Sequence, residues 1–438
     1  MSEWKETTLG ELIDIKHGWA FKGEFFNETN QPKNVVVAIG NFDYSGGFRF
    51  DSTRTKEYLG SYPKEYELTP GEILLAMTCQ TAGGEILGIP GRIPTDSKTY
   101  LHNQRLGKIK IKDEKITDSS FIYWLCLWQN FNHHLVATAT GTKILHTAPE
   151  RIKSFTFKCP PIDEQKQIGK TLDVLDRKIE NLRKQNETLE RIAQTLFKHW
   201  FVDFEFPNDD GKPYRSSGGE MVRSELGEIP AGWSIGALGD FCNIKHGYAF
   251  KGEFITTDET DQILLTPGNF RIGGGFNSSK YKYYSDNNYD QEYILESGDL
   301  IVTMTDLSKE GDTLGYPAFV PKNSNNVFLH NQRLGKVVDS KIDLFFLFFL
   351  FCRREYRAHI LGTASGSTVR HTSPSRILEY KFTVPRRKLL DQFSLIVSRL
   401  IGKSFYNREQ ISTLDKTRNT LLPKLMSGQI QIDHMEEV

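Results

Sequence analysis

The sequence predicts an α+β chain in which one globular domain is written twice, at 1–158 and 207–384. A long helical segment follows each copy, at 159–206 and 385–438. Three observations carry that reading: segments that recur in order, short apolar runs broken by turn residues, and two stretches of heptad spacing. The recurrence is direct. Ile15–Phe25 (IKHGWAFKGEF) returns as Ile244–Phe254 (IKHGYAFKGEF), and Leu101–Lys108 (LHNQRLGK) returns unchanged as Leu329–Lys336. Between them Gly40-Asn41-Phe42 reappears as Gly268-Asn269-Phe270, and later Gly141, His146, Thr147 and Arg151 match Gly366, His371, Thr372 and Arg376. A unit this long is a tandem duplication rather than a solenoid repeat.

Inside each copy, runs such as Val35–Val37, Ile73–Leu75 and Ile301–Val302 are split by Gly, Pro, Asn and Asp, the pattern of short buried strands. One helix is expected per copy, Phe121–Gln129 and Phe346–Arg353, with Asp118 and Asp343 at the N-cap positions. From Ile168 the spacing changes to steps of four and three: Leu172, Leu175, Ile179, Leu182, Asn186, Leu189, Ala193, Leu196. The second stretch runs from Phe393 to Leu421 and is interrupted by Ser404, Asn407 and Arg418. Two amphipathic helices packed on their own domains would fit; a 3.5-residue spacing held this long favours a coiled coil. An antiparallel pairing sets a against d, so a register joining Asn186 to Asn407 satisfies both amides. It also sets Leu182 against Ile411, Ile179 against Leu414 and Leu172 against Leu421.

The 438 residues carry 55 basic and 55 acidic side chains, and 38% are apolar, a globular composition. Five cysteines without a CxxC pair speak against a disulfide framework or thiolate zinc site and for a reducing, cytoplasmic setting. The longest apolar run, Leu344–Cys352, is too short to span a bilayer, and the first residues hold no signal core, so no membrane association is expected. Catalytic signatures fail. Gly169-Lys170-Thr171 lies in the heptad helix with Glu164 where a phosphate loop needs Gly, and no GxSxG, HExxH or strand-borne GxGxxG occurs. His133-His134 lacks partners at metal-ligand spacing, so neither a catalytic residue nor a metal site is expected.

What remains are loops rich in basic and amide groups. Lys22 and Lys251, identical in both copies, suit phosphate contacts, which position a protein without specifying sequence. The HNQR segments carry side chains able to reach base edges, but identity in both copies favours a role in holding the fold. Specificity must lie where the copies differ. CQTAGGEILG after Met77-Thr78 faces DLSKEGDTLG after Met304-Thr305, nominating Gln80 and Thr81 against Asp306 and Ser308. Arg49–Lys56 faces Asn277–Lys282, nominating Arg49 and Lys56 against Lys280 and Lys282. Lys143 faces Thr368 and Leu145 faces Arg370, just ahead of the shared His146 and His371.

Four further segments resemble the specificity subunit of type I restriction–modification enzymes: Pro160–Gln165 (PPIDEQ), Thr195–Phe204 (TLFKHWFVDF), Glu225–Trp233 (ELGEIPAGW) and Leu421–Ile430 (LLPKLMSGQI). The second helix departs from the pattern, opening on Pro385-Arg386-Arg387-Lys388 instead of PPxxEQ. The resemblance covers essentially the whole chain. It implies two target recognition domains, each reading half of a bipartite site on double-stranded DNA, with antiparallel helices as spacer. It also implies a non-catalytic chain that binds no cofactor. Two modification subunits would carry S-adenosylmethionine, and restriction subunits with ATP and Mg would translocate and cleave. A seam of about 29 residues is roughly 43 Å long, near one DNA turn. A combined restriction–methylation enzyme's reading subunit, an orphan methylation reader and a non-DNA scaffold are the alternatives. Charge sharpens the expectation. Residues 1–150 carry 16 basic and 18 acidic groups and 225–375 carry 14 and 18, whereas 376–438 carry 11 and 7. Mildly acidic recognition domains imply weak, salt-sensitive DNA binding by the chain alone.

Overall fold

A computed structural model describes residues 4–29, 32–50, 55–81, 83–322 and 326–432. It divides into two compact units: 1–181 with 410–438, and 182–409. Each unit therefore holds one copy of the repeat and a portion of both long helices, Ile162–Phe201 and Arg387–Met426.

The four- and five-stranded sheets of the two units match strand for strand. In the first, a four-stranded antiparallel sheet runs in the order Ile13–His17, Leu106–Ile111, Ile73–Ala76, Pro90–Arg92. In the second, Asn243–His246, Leu334–Val338, Leu300–Thr303 and Pro317–Phe319 take the same places. A five-stranded sheet accompanies each, with one parallel pair at its heart: Asn34–Val37 beside Thr99–His102, and Gln262–Leu265 beside Val327–His330. Val35, Val37, Leu74 and Leu75 are wholly buried, as are Leu264, Leu265, Ile301 and Val302, so the short apolar runs are core strands.

The two helices expected from sequence form at Ser119–Leu127 and Leu344–Phe351. Their N-caps are Asp118, whose side chain accepts the Phe121 N–H, and Asp343, which accepts those of Phe345 and Phe346. The expectation of a single helix per copy is corrected. Gln129–Thr138 and Arg354–Thr363 follow at once, and the one-turn helices Pro149–Lys153 and Pro374–Leu378 come later. These segments carry few apolar residues, so their periodicity is faint; Phe131 with Leu135 and Tyr356 with Ile360 give the longer two a fully buried edge, and Ile152 and Ile377 anchor the one-turn helices.

The repeated motifs are interlocked. Gly18 packs against the Asn103 carbonyl so closely that an added Cβ would stand 2.3 Å from its oxygen, and Gly247 does the same to Asn331 at 2.2 Å. The next residue, Trp19 or Tyr248, donates its N–H to the His102 or His330 carbonyl at 2.8 Å. Within HNQR the imidazole Nε2 donates across the turn, His102 to Leu106 O (2.9 Å) and His330 to Leu334 O (3.0 Å). Asn103 and Asn331 each accept the N–H two residues on. The His-Asn half of the motif therefore holds the fold.

Both long helices enter the cores of the units and also meet one another. Ile168 and Leu172 from the first and Leu425 and Met426 from the second lie in the first unit's core. Ala193, Phe197, Trp200 and Phe201, with Leu390, Phe393 and Val397, lie in the second's. The expected amide pair exists: Asn407 Nδ2 donates to Asn186 Oδ1 at 3.0 Å, both residues buried. Arg408 donates to Glu190 in the same unit at 2.6 Å, and in the other unit buried Arg418 donates to Asp176 at 2.7 Å. Farther along the second unit Phe197 packs on Phe393, centroids 5.9 Å apart, so from Asn186–Asn407 to Phe197–Phe393 partners rise along one helix and fall along the other, and the pairing is antiparallel. Leu172, Ile179 and Leu182 are buried, and Ile411, Leu414 and Leu421 half-buried. The three polar interruptions of the second seam, Ser404, Asn407 and Arg418, are all buried.

Two predictions follow from this packing. Asn186→Leu deprives the Asn407 amide of its nearer partner and should lower stability by about 1–2 kcal/mol. Adding Asn407→Leu should recover it; a thermal melt of both variants reads the difference. Burial pushes His102 and His330 down to about 4 from 6.5, against the opposing effect of their carbonyl bonds. The unfolded chain takes up these protons below about pH 6.5 and the folded chain only near 4. Stability should therefore fall as pH drops through that window, by up to about 3 kcal/mol per histidine. Acid titration of the melting temperature should flatten on replacing both residues by Gln.

Candidate nucleic-acid interface

At one end of the two central strands of each four-stranded sheet lies a patch whose backbone is shared and whose side chains differ. It starts at the HNQR turn, where the Arg105 carbonyl accepts the Met77 N–H at 3.1 Å and the Met77 carbonyl accepts that of Thr147 at 3.0 Å. In the second copy Arg333, Met304 and Thr372 repeat this at 2.8 and 2.9 Å. Beyond it the strands pair, Leu145 with Cys79 and His146 with Thr78, then Arg370 with Asp306 and His371 with Thr305. The shared histidines join their threonines through Nδ1, at 3.2 Å for Thr78 and 3.1 Å for Thr305. Two of the three nominated loops, from Cys79 and from Lys143, are thus brought side by side, as are those from Asp306 and Thr368.

On this patch Gln80, Thr81, Lys143 and His146 are exposed in the first copy. Thr81 is engaged by Glu85, and hydroxyl donation holds the Glu85 carboxyl below its usual range. In the second copy His371 is exposed, Arg370 and Ser308 are half-buried, and Arg370 Nε donates to the Lys309 carbonyl at 3.3 Å. Asp306 differs from its nomination in one respect: it is 5% exposed and faces inward. Its carboxylate accepts the Ser308 N–H at 2.6 Å and the Thr313 hydroxyl at 2.6 Å. Burial works to raise its pKa, yet the bonds from Thr313 and Ser308 outweigh that and hold it low.

The third nominated pair of loops sits on the other sheet. Arg49 is ion-paired with Asp43, and its N–H is held by the Asn41 carbonyl; Lys56 is paired with Glu28 at 3.0 Å. The loop residues 51–54 lie outside the described residues. Asn269 plays the part of Asn41 in the second copy, its amide donating to the Asn277 and Lys280 carbonyls at 3.2 Å. Lys280 is exposed, and Lys282, also exposed, opens the strand Lys282–Tyr284. Lys22 and Lys251 are exposed at the start of one-turn 3-10 helices.

Sequence reading passed over an aromatic pair in each copy. Trp19 and Tyr248, 37% and 38% exposed, lean on Tyr66 and Tyr293 with centroids 5.5 and 5.1 Å apart. Lys16 lies over Tyr66 and pairs with Glu65 at 3.1 Å; Lys245 lies over Tyr293 and pairs with Glu292 at 2.8 Å. The W/Y position inside an otherwise identical motif was the available signal. Gln104, Arg105, Gln332 and Arg333 are exposed beside these rings, so the HNQR motif divides into a buried half and a presented half. Among the described residues no group of His, Cys, Asp and Glu could hold a metal ion, and all five cysteines are free. Among the described residues no helix is long and apolar enough to cross a membrane.

The family model "Type I restriction modification DNA specificity domain" matches residues 1–191 and 230–412. A specificity subunit of the MjaIX type I enzyme of Methanocaldococcus jannaschii is 27% identical over 344 residues, covering 76% of this chain and 73% of its own. That of MjaVIII from the same organism is 25% identical across 99% of both chains. Among solved structures, the type I S subunit from M. genitalium superposes with a TM-score of 0.56 at 16% identity over 97% of this chain and 96% of its own, a shared fold. Two copies of the family domain, matched over most of the chain, lead to one conclusion: the chain belongs to the type I restriction–modification specificity subunits, with two target recognition domains.

Proposed function

We propose that each recognition domain reads one half of a bipartite site on double-stranded DNA, and that the paired helices set the gap and dock two modification subunits. The observation that carries this is the shared backbone frame beneath differing loops. A frame held by main-chain bonds can present Gln80, Thr81 and Lys143 in one copy and Ser308 and Arg370 in the other without altering its shape. Amide, hydroxyl and cationic side chains are those that bond base edges in a major groove. Lys22, Lys251, Arg105 and Arg333, alike in both copies, suit the phosphates that both half-sites share. Lys56, Lys280 and Lys282 on the other sheet would widen that grip.

In this reading the chain performs no chemistry and binds no cofactor. The modification subunits bring S-adenosylmethionine and methylate adenine, which must leave the stack, and restriction subunits bring ATP and Mg for translocation and cleavage. A cytoplasmic location accords with free cysteines. Because the recognition domains are mildly acidic, phosphate contacts from the modification subunits would supply much of the affinity.

Methylation mapping in cells with and without the chain tests the proposal. A gapped, two-part methylated motif should disappear with the gene; its persistence would overturn the assignment. Lys143→Ala should relax one half of that motif by about 1–3 kcal/mol in discrimination and leave the other half intact. Lys22→Ala with Lys251→Ala should instead weaken binding evenly across sequences and reduce the salt slope by about one per lysine.

A further inference from the structure

Each recognition loop is held from beneath by a residue outside it, and the two copies use different residues at that place. The holder lies on the helix after the first: Asn132 in Gln129–Thr138, Arg357 in Arg354–Thr363. Their equivalence is secured by a neighbour, since His134 and His359 each bond a carbonyl in the following one-turn helix, Arg151 at 3.0 Å and Arg376 at 2.8 Å. Asn132 Nδ2 donates to the carbonyls of Gly84 (3.1 Å) and Leu87 (2.9 Å). Arg357 donates to the Gly311 carbonyl at 2.8 Å, and its guanidinium lies 4.2 Å from the Tyr316 ring centre. Gly84 and Gly311 are equivalent, and both have φ of +70°. One carbonyl of one turn is thus grasped by a short amide in the first copy and a long cation in the second.

The surroundings change with the holder. In the second copy the Asp306 carboxylate bonds Ser308 and Thr313, while in the first the positions of Asp306 and Thr313 are Cys79 and Ile86, both buried. Tyr316 stands where the first copy has buried Ile89. The set Cys79, Ile86, Ile89, Asn132 is compact and largely apolar; the set Asp306, Thr313, Tyr316, Arg357 is polar and bulky. Arg357 is 9% exposed, and its Nη1 has no hydrogen-bond partner among the described residues. Burying that cation costs more than the fold regains from one carbonyl bond, whereas holding the loop in a set shape gives it a purpose.

We propose that Asn132 and Arg357 are positioning residues that fix the shape of the loop each holds, so that loop and holder form one specificity unit. This rests on the reading of these loops as base contacts, and the experiment separates the two ideas. In cells carrying the full assembly, Arg357→Met keeps the stem and removes the donor, whereas Arg357→Lys keeps a donor. Mapping should show Arg357→Met tolerating other bases in one half of the motif, with roughly tenfold less discrimination, the other half unchanged and Arg357→Lys largely restored. Strict reading of both halves by Arg357→Met would overturn the proposal. A graft gives the second arm: the Asp306–Tyr316 sequence replaces Cys79–Ile89, with and without Asn132→Arg. The graft with Asn132→Arg should methylate a changed half-site at least tenfold better than the graft alone. Equal methylation by both grafts would overturn the holder's role. Methylation of the original motif by the graft with Asn132→Arg would instead overturn the reading of the loop.

Discussion

A relay of main-chain hydrogen bonds underlies both recognition domains. It passes from Trp19 to His102, through the HNQR turn to Arg105, then to Met77 and on to Thr147, and the second copy repeats it through Tyr248, His330, Arg333, Met304 and Thr372. The contacts need a close backbone approach, which is why Gly18 and Gly247 cannot carry a side chain. Because the relay is made of N–H and carbonyl groups, it places few demands on the side chains presented along it. A scaffold of that kind lets two copies keep one geometry while their loops diverge.

The long helices do two jobs at once. Their apolar faces supply core to the recognition domains, with Phe197, Phe201 and Phe393 packed ring against ring in the second unit at centroid distances of 4.9–5.9 Å. Each such ring contributes about 2–3 kcal/mol by burial. Polar layers contribute differently. The Asn186–Asn407 bond and the Arg418–Asp176 pair add little net stability over apolar neighbours, but a shift of one heptad would strand them among apolar side chains. Apolar contacts hold the helices together, and polar ones define which turn meets which.

What could be read from sequence divides along a physical line. Asn186 against Asn407 was legible because heptad geometry turns two isolated polar residues into a register. The caps Asp118 and Asp343 were legible because a carboxylate before an apolar run has one common use. The helices Gln129–Thr138 and Arg354–Thr363 were not, since their apolar edges are two residues wide. Asn132 and Arg357 were invisible for a deeper reason: their partners are carbonyl oxygens, which every residue has. Asp306 looked like a surface acid, and only the backbone turn around it shows a buried acceptor for the Ser308 and Thr313 groups.

The make-up of the first unit has a consequence for the order of synthesis. Leu425 and Met426 belong to the same core as Leu9, Leu74 and Trp124, so the first recognition domain is completed by residues made only after the second domain. At roughly 5–20 residues per second, Leu9 waits about 20–80 seconds for Leu425 to leave the ribosome. The second unit ends at residue 409 and can close earlier. During translation, then, the first recognition domain is the unfinished one, its core lacking Leu425 and Met426 until the second long helix is made.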